Sequence, residues 1–129
     1  MTNEEFIRVH RREDTRRLAL QHIPDGVDIR FCLQQIEGWQ VACRKLPRWA
    51  STDGLLYPPR LAMEQCSSEQ TACYKRDVVM RLLPSDGGRR HAMADLTGGL
   101  GVDFSFLAPC FDEALVTFFA IFAPPFSDG

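Results

Sequence analysis

The chain has 129 residues, 45% of them hydrophobic and 25% charged, with a formal net charge of −2. That length and balance suit a compact globular protein and exclude a disordered or fibrous chain. The small net charge excludes a global electrostatic drive toward nucleic acid or anionic membrane.

The first residues carry neither a basic region nor an apolar core of the kind a signal peptide needs. The longest apolar-rich run, residues 114–123, is shorter than the roughly 20 residues that span a bilayer as a helix. A cytoplasmic protein with no membrane partner is therefore expected. Five cysteines (Cys32, Cys43, Cys66, Cys73 and Cys110) form an odd set with no Cys-x-x-Cys pair. They read as reduced thiols. A zinc site combining two of them with His22 or His91 lacks the short ligand pairs such sites use, so no metal site is expected.

The N-terminal part reads as helices. Asn3 is placed to cap a short first helix, with Glu4 and Glu5 in its opening turn, where the helix dipole favours acids. Asp14 is placed to cap a second, running toward His22 and stopped by Pro24-Asp25-Gly26. A third covers residues 28–46. Its apolar positions Ile29, Cys32, Leu33, Ile36, Trp39, Cys43 and Leu46 follow the three-four spacing of one helix face, and Pro47 ends it. Gly38 weakens this helix by about 1 kcal/mol relative to alanine, which marks a place of close packing. Pro59 suits the first position of a short helix through Gln65. Ser67-Ser68-Glu69-Gln70 has the capping-box pattern and opens a helix to about Leu83.

A composition break follows. All fifteen Lys and Arg residues, but only twelve of the seventeen acids, lie at or before Arg90, giving 15 − 12 = +3; residues 91–129 carry five acids and no Lys or Arg, giving −5. Seven of the nine Phe lie after His91. Turn formers at Pro84-Ser85-Asp86-Gly87-Gly88 mark the junction. Residues 1–88 are thus expected to form a helical domain, and residues 89–129 the start of a second one. There the pattern is strand (91–95), helix (102–108, stopped by Pro109) and strand (114–119), a βαβ unit of the kind that builds parallel sheets. The expected fold is mainly α, with a helical N-terminal domain and then a βαβ fragment.

Between strand and helix lies Asp95-Leu96-Thr97-Gly98-Gly99-Leu100-Gly101. A cofactor at the carboxyl end of a parallel strand needs a turn tight enough to enter a helix at once. It also needs backbone without side chains and polar groups fixed at the strand end. The three glycines supply the first two and Asp95 the third. The spacing narrows the ligand. The third glycine of the dinucleotide pattern is absent, and no Gly-Lys-Ser/Thr follows to make a nucleotide-triphosphate loop. A carboxylate at the strand end suits a cationic ligand better than a bare helix N-terminus would.

Residues 95–108 resemble motif I of class I S-adenosylmethionine-dependent methyltransferases. With Leu33-Gln34-Gln35-Ile36-Glu37-Gly38-Trp39 and the stretch 56–69 upstream, the likeness narrows to a bacterial branch that carries a C-terminal THUMP-like domain. This resemblance spans roughly residues 5–115 and implies a Rossmann-like sheet from residue 89 on. It implies S-adenosylmethionine as cofactor, contacts to it from Asp95, Thr97, Gly99 and Gly101, and an RNA substrate for the full-length family. It implies no catalytic residue in this chain. The sequence departs from the family where the second strand should end in an acid that holds the ribose hydroxyls. No carboxylate lies between Glu113 and Asp128. The chain therefore reads as a truncated N-terminal part of such an enzyme, inactive alone, with a C-terminus that a shifted reading frame would explain. The apolar stretch 118–126 predicts self-association.

The alternative is a helical protein- or RNA-interaction module whose glycine loop is purely structural. Arg8, Arg11, Arg12, Arg16 and Arg17 would supply an RNA-binding stripe. The neighbouring acids Glu4, Glu5, Glu13 and Asp14 favour local ion pairs instead. Trp39, Trp49 and Tyr57 read as packing residues rather than base-stacking platforms. Glu64 and Glu69 suggest an acid pair, but Glu69 falls in the first turn of a capped helix, where an acid is expected anyway. Cys66, before a helix N-terminus, reads as a structural thiol rather than a nucleophile, so no catalytic residue is expected.

Overall fold

The computed structural model describes residues 1–83, 91–96 and 98–117. These form two compact units, Met1–Glu69 and Gln70–Gly129. The fold is mainly helical with one small parallel sheet, as the sequence predicts.

The first unit is built around α3 (Ile29–Lys45), whose N-cap Asp28 accepts the Phe31 amide through its side chain. Helix α1 (Asn3–His10) and α2 (Thr15–Leu18) pack on its first half, while α4 (Pro47–Ala50) and α5 (Arg60–Gln65) pack on it as well. Phe6, Leu18, Cys32 and Ile36 form the buried cluster, flanked by Ile7, Val27, Ile29 and Leu33. The three-four spacing places Cys43 inward, but Cys43 is exposed and Val41 and Ala42 are buried instead. The buried stripe runs from Cys32, Gln35 and Ile36 to Gly38, Val41 and Ala42, so it drifts around the helix as its packing partners change.

Two helix starts differ from expectation. Thr2, not Asn3, caps α1. Its hydroxyl accepts the Glu5 amide at 3.2 Å and the Glu5 carboxylate accepts the Thr2 amide at 2.9 Å, a complete capping box. That hydrogen bonding holds the Glu5 carboxyl below its usual range. Asn3 instead accepts the Asp28 amide at 2.8 Å, tying α1 to the start of α3. Asp14 does cap α2, but the helix ends at Leu18 rather than near His22. The next amides, Leu20 and Gln21, bond back only three residues, to Arg17 and Leu18, which closes the helix early. Pro59 sits one place before α5 as its N-cap.

The close packing at Gly38 is explained by Tyr57. A Cβ on Gly38 would run into Tyr57 Cβ and lie 2.7 Å from its Cγ. Tyr57 itself is clamped. Gln35, 5% exposed, accepts the Tyr57 amide at 2.7 Å and donates to its carbonyl at 3.0 Å. Gln34 donates to the same carbonyl, and the Tyr57 hydroxyl donates to the Trp49 carbonyl. Gln35→Leu leaves the buried Tyr57 amide without its partner and is expected to cost about 1–3 kcal/mol, read by urea unfolding. A stability equal to the parent's would mean that the clamp contributes nothing.

Burial separates the thiols. Cys32 is fully buried, and desolvation, helped by the nearby Asp28 charge, pushes its thiol pKa up. A chromogenic disulfide reagent is expected to titrate Cys43 in the folded protein and Cys32 only on unfolding, since the thiolate is the reactive form. Rapid labelling of Cys32 under native conditions would contradict the core described above.

In the second unit α6 spans Glu69–Leu82, starting at the chain division. The composition break near residue 88 lies within this unit, in a stretch outside the described residues. Strand β1 (Ala92–Asp95) pairs in parallel with β2 (Glu113–Val116), Ala92 opposite Glu113 and Asp95 opposite Val116. Helix α7 (Val102–Leu107) connects them and anchors itself through buried Val102 and Phe106. Pro109 does not stop the helical chain outright; Ala108–Cys110 continues as a short 3-10 turn before β2. The expected strand–helix–strand order is present. Among the described residues no helix is long and apolar enough to cross a membrane. The apolar stretch 118–126 lies outside the described residues.

Candidate glycine-loop site

The loop from Asp95 to Gly101 sits at the carboxyl end of β1. The Asp95 carbonyl accepts the Thr117 amide at 2.8 Å, extending the parallel ladder one step past β2. The Gly98 amide donates to the Thr117 carbonyl at 3.1 Å, so the loop is pinned to the end of β2. The Gly101 amide then donates to the Gly98 carbonyl at 2.7 Å, closing a tight turn. The Gly101 carbonyl accepts the Ser105 amide at 2.8 Å, the first bond of α7.

Glycine is required twice in this path. Gly99 has φ +54° and Gly101 φ +77°, left-handed conformations that cost an L-residue about 1–2 kcal/mol each. Gly101 is also the N-cap of α7, which has no side-chain cap. The sequence-predicted residues Asp95, Gly99 and Gly101 are thus gathered at one strand end, with Asp95 half-buried. Thr97 lies outside the described residues.

Hydrogen bonding decides what kind of ligand the loop suits. A phosphate loop needs several backbone amides directed at the anion. Here the Gly98 and Gly101 amides are already spent on carbonyls inside the fold. The carboxylate of Asp95 adds negative charge at the strand end. A carboxylate is an acceptor, and it suits a cationic group better than a phosphate. No acid lies between the end of β2 and Asp128; the residue after β2 is the exposed Thr117.

One feature of this unit has no sequence signature. The Lys75 ammonium, on α6, lies 2.9 Å from Asp103 Oδ2 in the first turn of α7. The two residues are 28 apart, so no local pattern announces the pair. Both side chains are partly exposed, and Lys75→Ala is expected to cost no more than about 1 kcal/mol in thermal unfolding. A loss of several kcal/mol would show that the pair organises the loop's helix.

The other candidates are used structurally. Glu64 pairs with Arg60 at 2.8 Å and Glu69 with Arg48 at 3.0 Å, so they do not form an acid pair. The Arg60 guanidinium holds the Glu64 carboxyl below its usual range. The Cys66 thiol donates to the Met63 carbonyl at 3.1 Å. Trp39 donates through Nε1 to the Ala50 carbonyl, and Tyr57 is buried. Among the described residues no cluster of three or more His, Cys, Asp or Glu could hold a metal.

No family model matches the chain, and no curated protein matches it. The chain is similar to the crystal structure of a "putative methyltransferase" from Porphyromonas gingivalis W83, with a TM-score of 0.62 and 27% identity. The match covers 90% of this chain and 27% of that one, so the chain spans about a quarter of that protein's length. The likeness supports a methyltransferase-like fold.

Proposed function

We propose that this chain is a class I S-adenosylmethionine-dependent methyltransferase homologue whose loop 95–101 holds the methionine end of the cofactor. The observation that carries this reading is the pair of left-handed glycines, Gly99 and Gly101, at the carboxyl end of a parallel strand ended by Asp95. The cofactor, when bound, supplies an electrophilic methyl group on its sulfonium. The chain's own residues bind and orient it. Gly99 and Gly101 let the backbone approach without side chains, and Asp95 matches the ammonium. Thr97 completes the set by the family resemblance. No residue of this chain is assigned a catalytic role. The family's sheet, its THUMP-like domain and its RNA substrate belong to the same reading.

The missing acid after β2 sets the expected strength. Losing a charge-assisted hydrogen bond to the ribose costs about 1.5–3 kcal/mol, or roughly ten- to hundredfold in affinity. Equilibrium dialysis with S-adenosylhomocysteine is therefore expected to show saturable but weak binding, lost in Asp95→Ala. A folded protein with no saturable binding would reduce the loop to a structural turn.

A further inference from the structure

We propose that the corner between α1 and α2, with Trp39 of α3, is a binding surface for single-stranded nucleic acid. Ten residues, from Arg8 to Arg17, hold five arginines against two acids, Glu13 and Asp14, a local balance of 5 − 2 = +3 in a chain of net charge −2. The sequence pattern favours local ion pairs for these arginines; among the described residues none of the five lies within 4 Å of a carboxylate, and only Arg8 is near enough to an acid, Glu5, to act on its charge. Each nearby acid but Glu4 has other work. Glu5 closes the capping box with Thr2, Asp14 caps α2, Glu13 takes His10 at 2.8 Å, and Glu37 accepts the Thr15 hydroxyl at 3.1 Å. Arg8, Arg12, Arg16 and Arg17 are exposed and Arg11 is half-buried.

Two of these cations are organised. The Arg11 guanidinium carbon lies 4.7 Å from the Trp39 ring centroid and that of Arg12 5.6 Å, both within cation–π range. The ring is fixed by its Nε1 bond to the Ala50 carbonyl at 3.1 Å. The chain at 11–13 is fixed by Gln40, whose amide donates to the carbonyls of Arg11 and Glu13 at 3.0 and 2.8 Å. Two like charges on one indole repel each other, and a phosphate beside them relieves that repulsion. Their planar groups, with a half-exposed indole, also offer stacking faces to unpaired bases. A duplex hides its base faces, so the single strand is the better match. Arg16 and Arg17, exposed on α2, extend the cationic track. This surface lies wholly in the unit Met1–Glu69 and does not depend on the glycine loop.

The test is fluorescence anisotropy of a labelled oligouridylate at low salt, with the parent chain, Arg11→Gln/Arg12→Gln and Arg16→Glu/Arg17→Glu. The bonds that fix Trp39 and the 11–13 backbone do not use the arginine side chains, so both variants keep the fold, checked by circular dichroism. The parent is expected to bind. Arg11→Gln/Arg12→Gln is expected to weaken binding about tenfold and to reduce the slope of log affinity against log salt by about 1.4, at about 0.7 per phosphate contact. Arg16→Glu/Arg17→Glu is expected to weaken it too. Absence of binding by the parent, unchanged affinity in the first variant, or capture by phosphatidylserine vesicles without oligonucleotide binding would each overturn the proposal.

Discussion

Gly38→Ala is expected to destabilise the unit Met1–Glu69 by about 2 kcal/mol. The added methyl gains about 1 kcal/mol of helix propensity. It also enters space already held by Tyr57, whose Cγ would lie 2.7 Å away. Overpacking of a core typically costs about 1–3 kcal/mol, and more when neighbours cannot move. Tyr57 cannot move easily. Its backbone is gripped by Gln34 and Gln35, and its hydroxyl by the Trp49 carbonyl. Steric cost at its upper end therefore outweighs propensity. Urea unfolding followed by helical circular dichroism measures the difference. An alanine variant as stable as the parent would mean that α3 and the 55–59 segment are not packed as described.

Gly101→Val is expected to have the largest effect in the second unit. Valine at φ +77° meets the left-handed penalty, which is severe for a β-branched residue. The expected loss is about 2 kcal/mol. The damage should be local, because Gly101 both closes the turn onto Gly98 and starts α7 through Ser105. Amide exchange of Ser105 should therefore accelerate before that of Cys32 in α3. Uniform acceleration across the chain would argue against a turn that acts on α7 first.

Local signals carried much of this structure. Asp28, the apolar spacing and Pro47 bound α3 to within a residue at each end. Gly38 announced close packing, although only the structure identifies Tyr57 as its neighbour. The glycine loop was legible because left-handed backbone has few other solutions than glycine. Features set by distant partners were not legible. Thr2 outcompetes Asn3 as the cap because Asn3 is drawn to the Asp28 amide, 25 residues away. The drift of the buried stripe along α3 and the Lys75–Asp103 pair depend likewise on tertiary neighbours. The arginines misled for the opposite reason. Their neighbouring acids fit local pairing, but capping and His10 claim most of those acids first.

In the function we propose, the loop 95–101 receives the methionine end of S-adenosylmethionine. Amide-resolved nuclear magnetic resonance of the labelled protein, titrated with the cofactor, tests it directly. Saturable shifts centred on Asp95, Gly99 and Gly101 are expected, absent in Asp95→Ala, while α3 amides stay in place. Shifts confined to the helical unit, or none at these three residues, would contradict it.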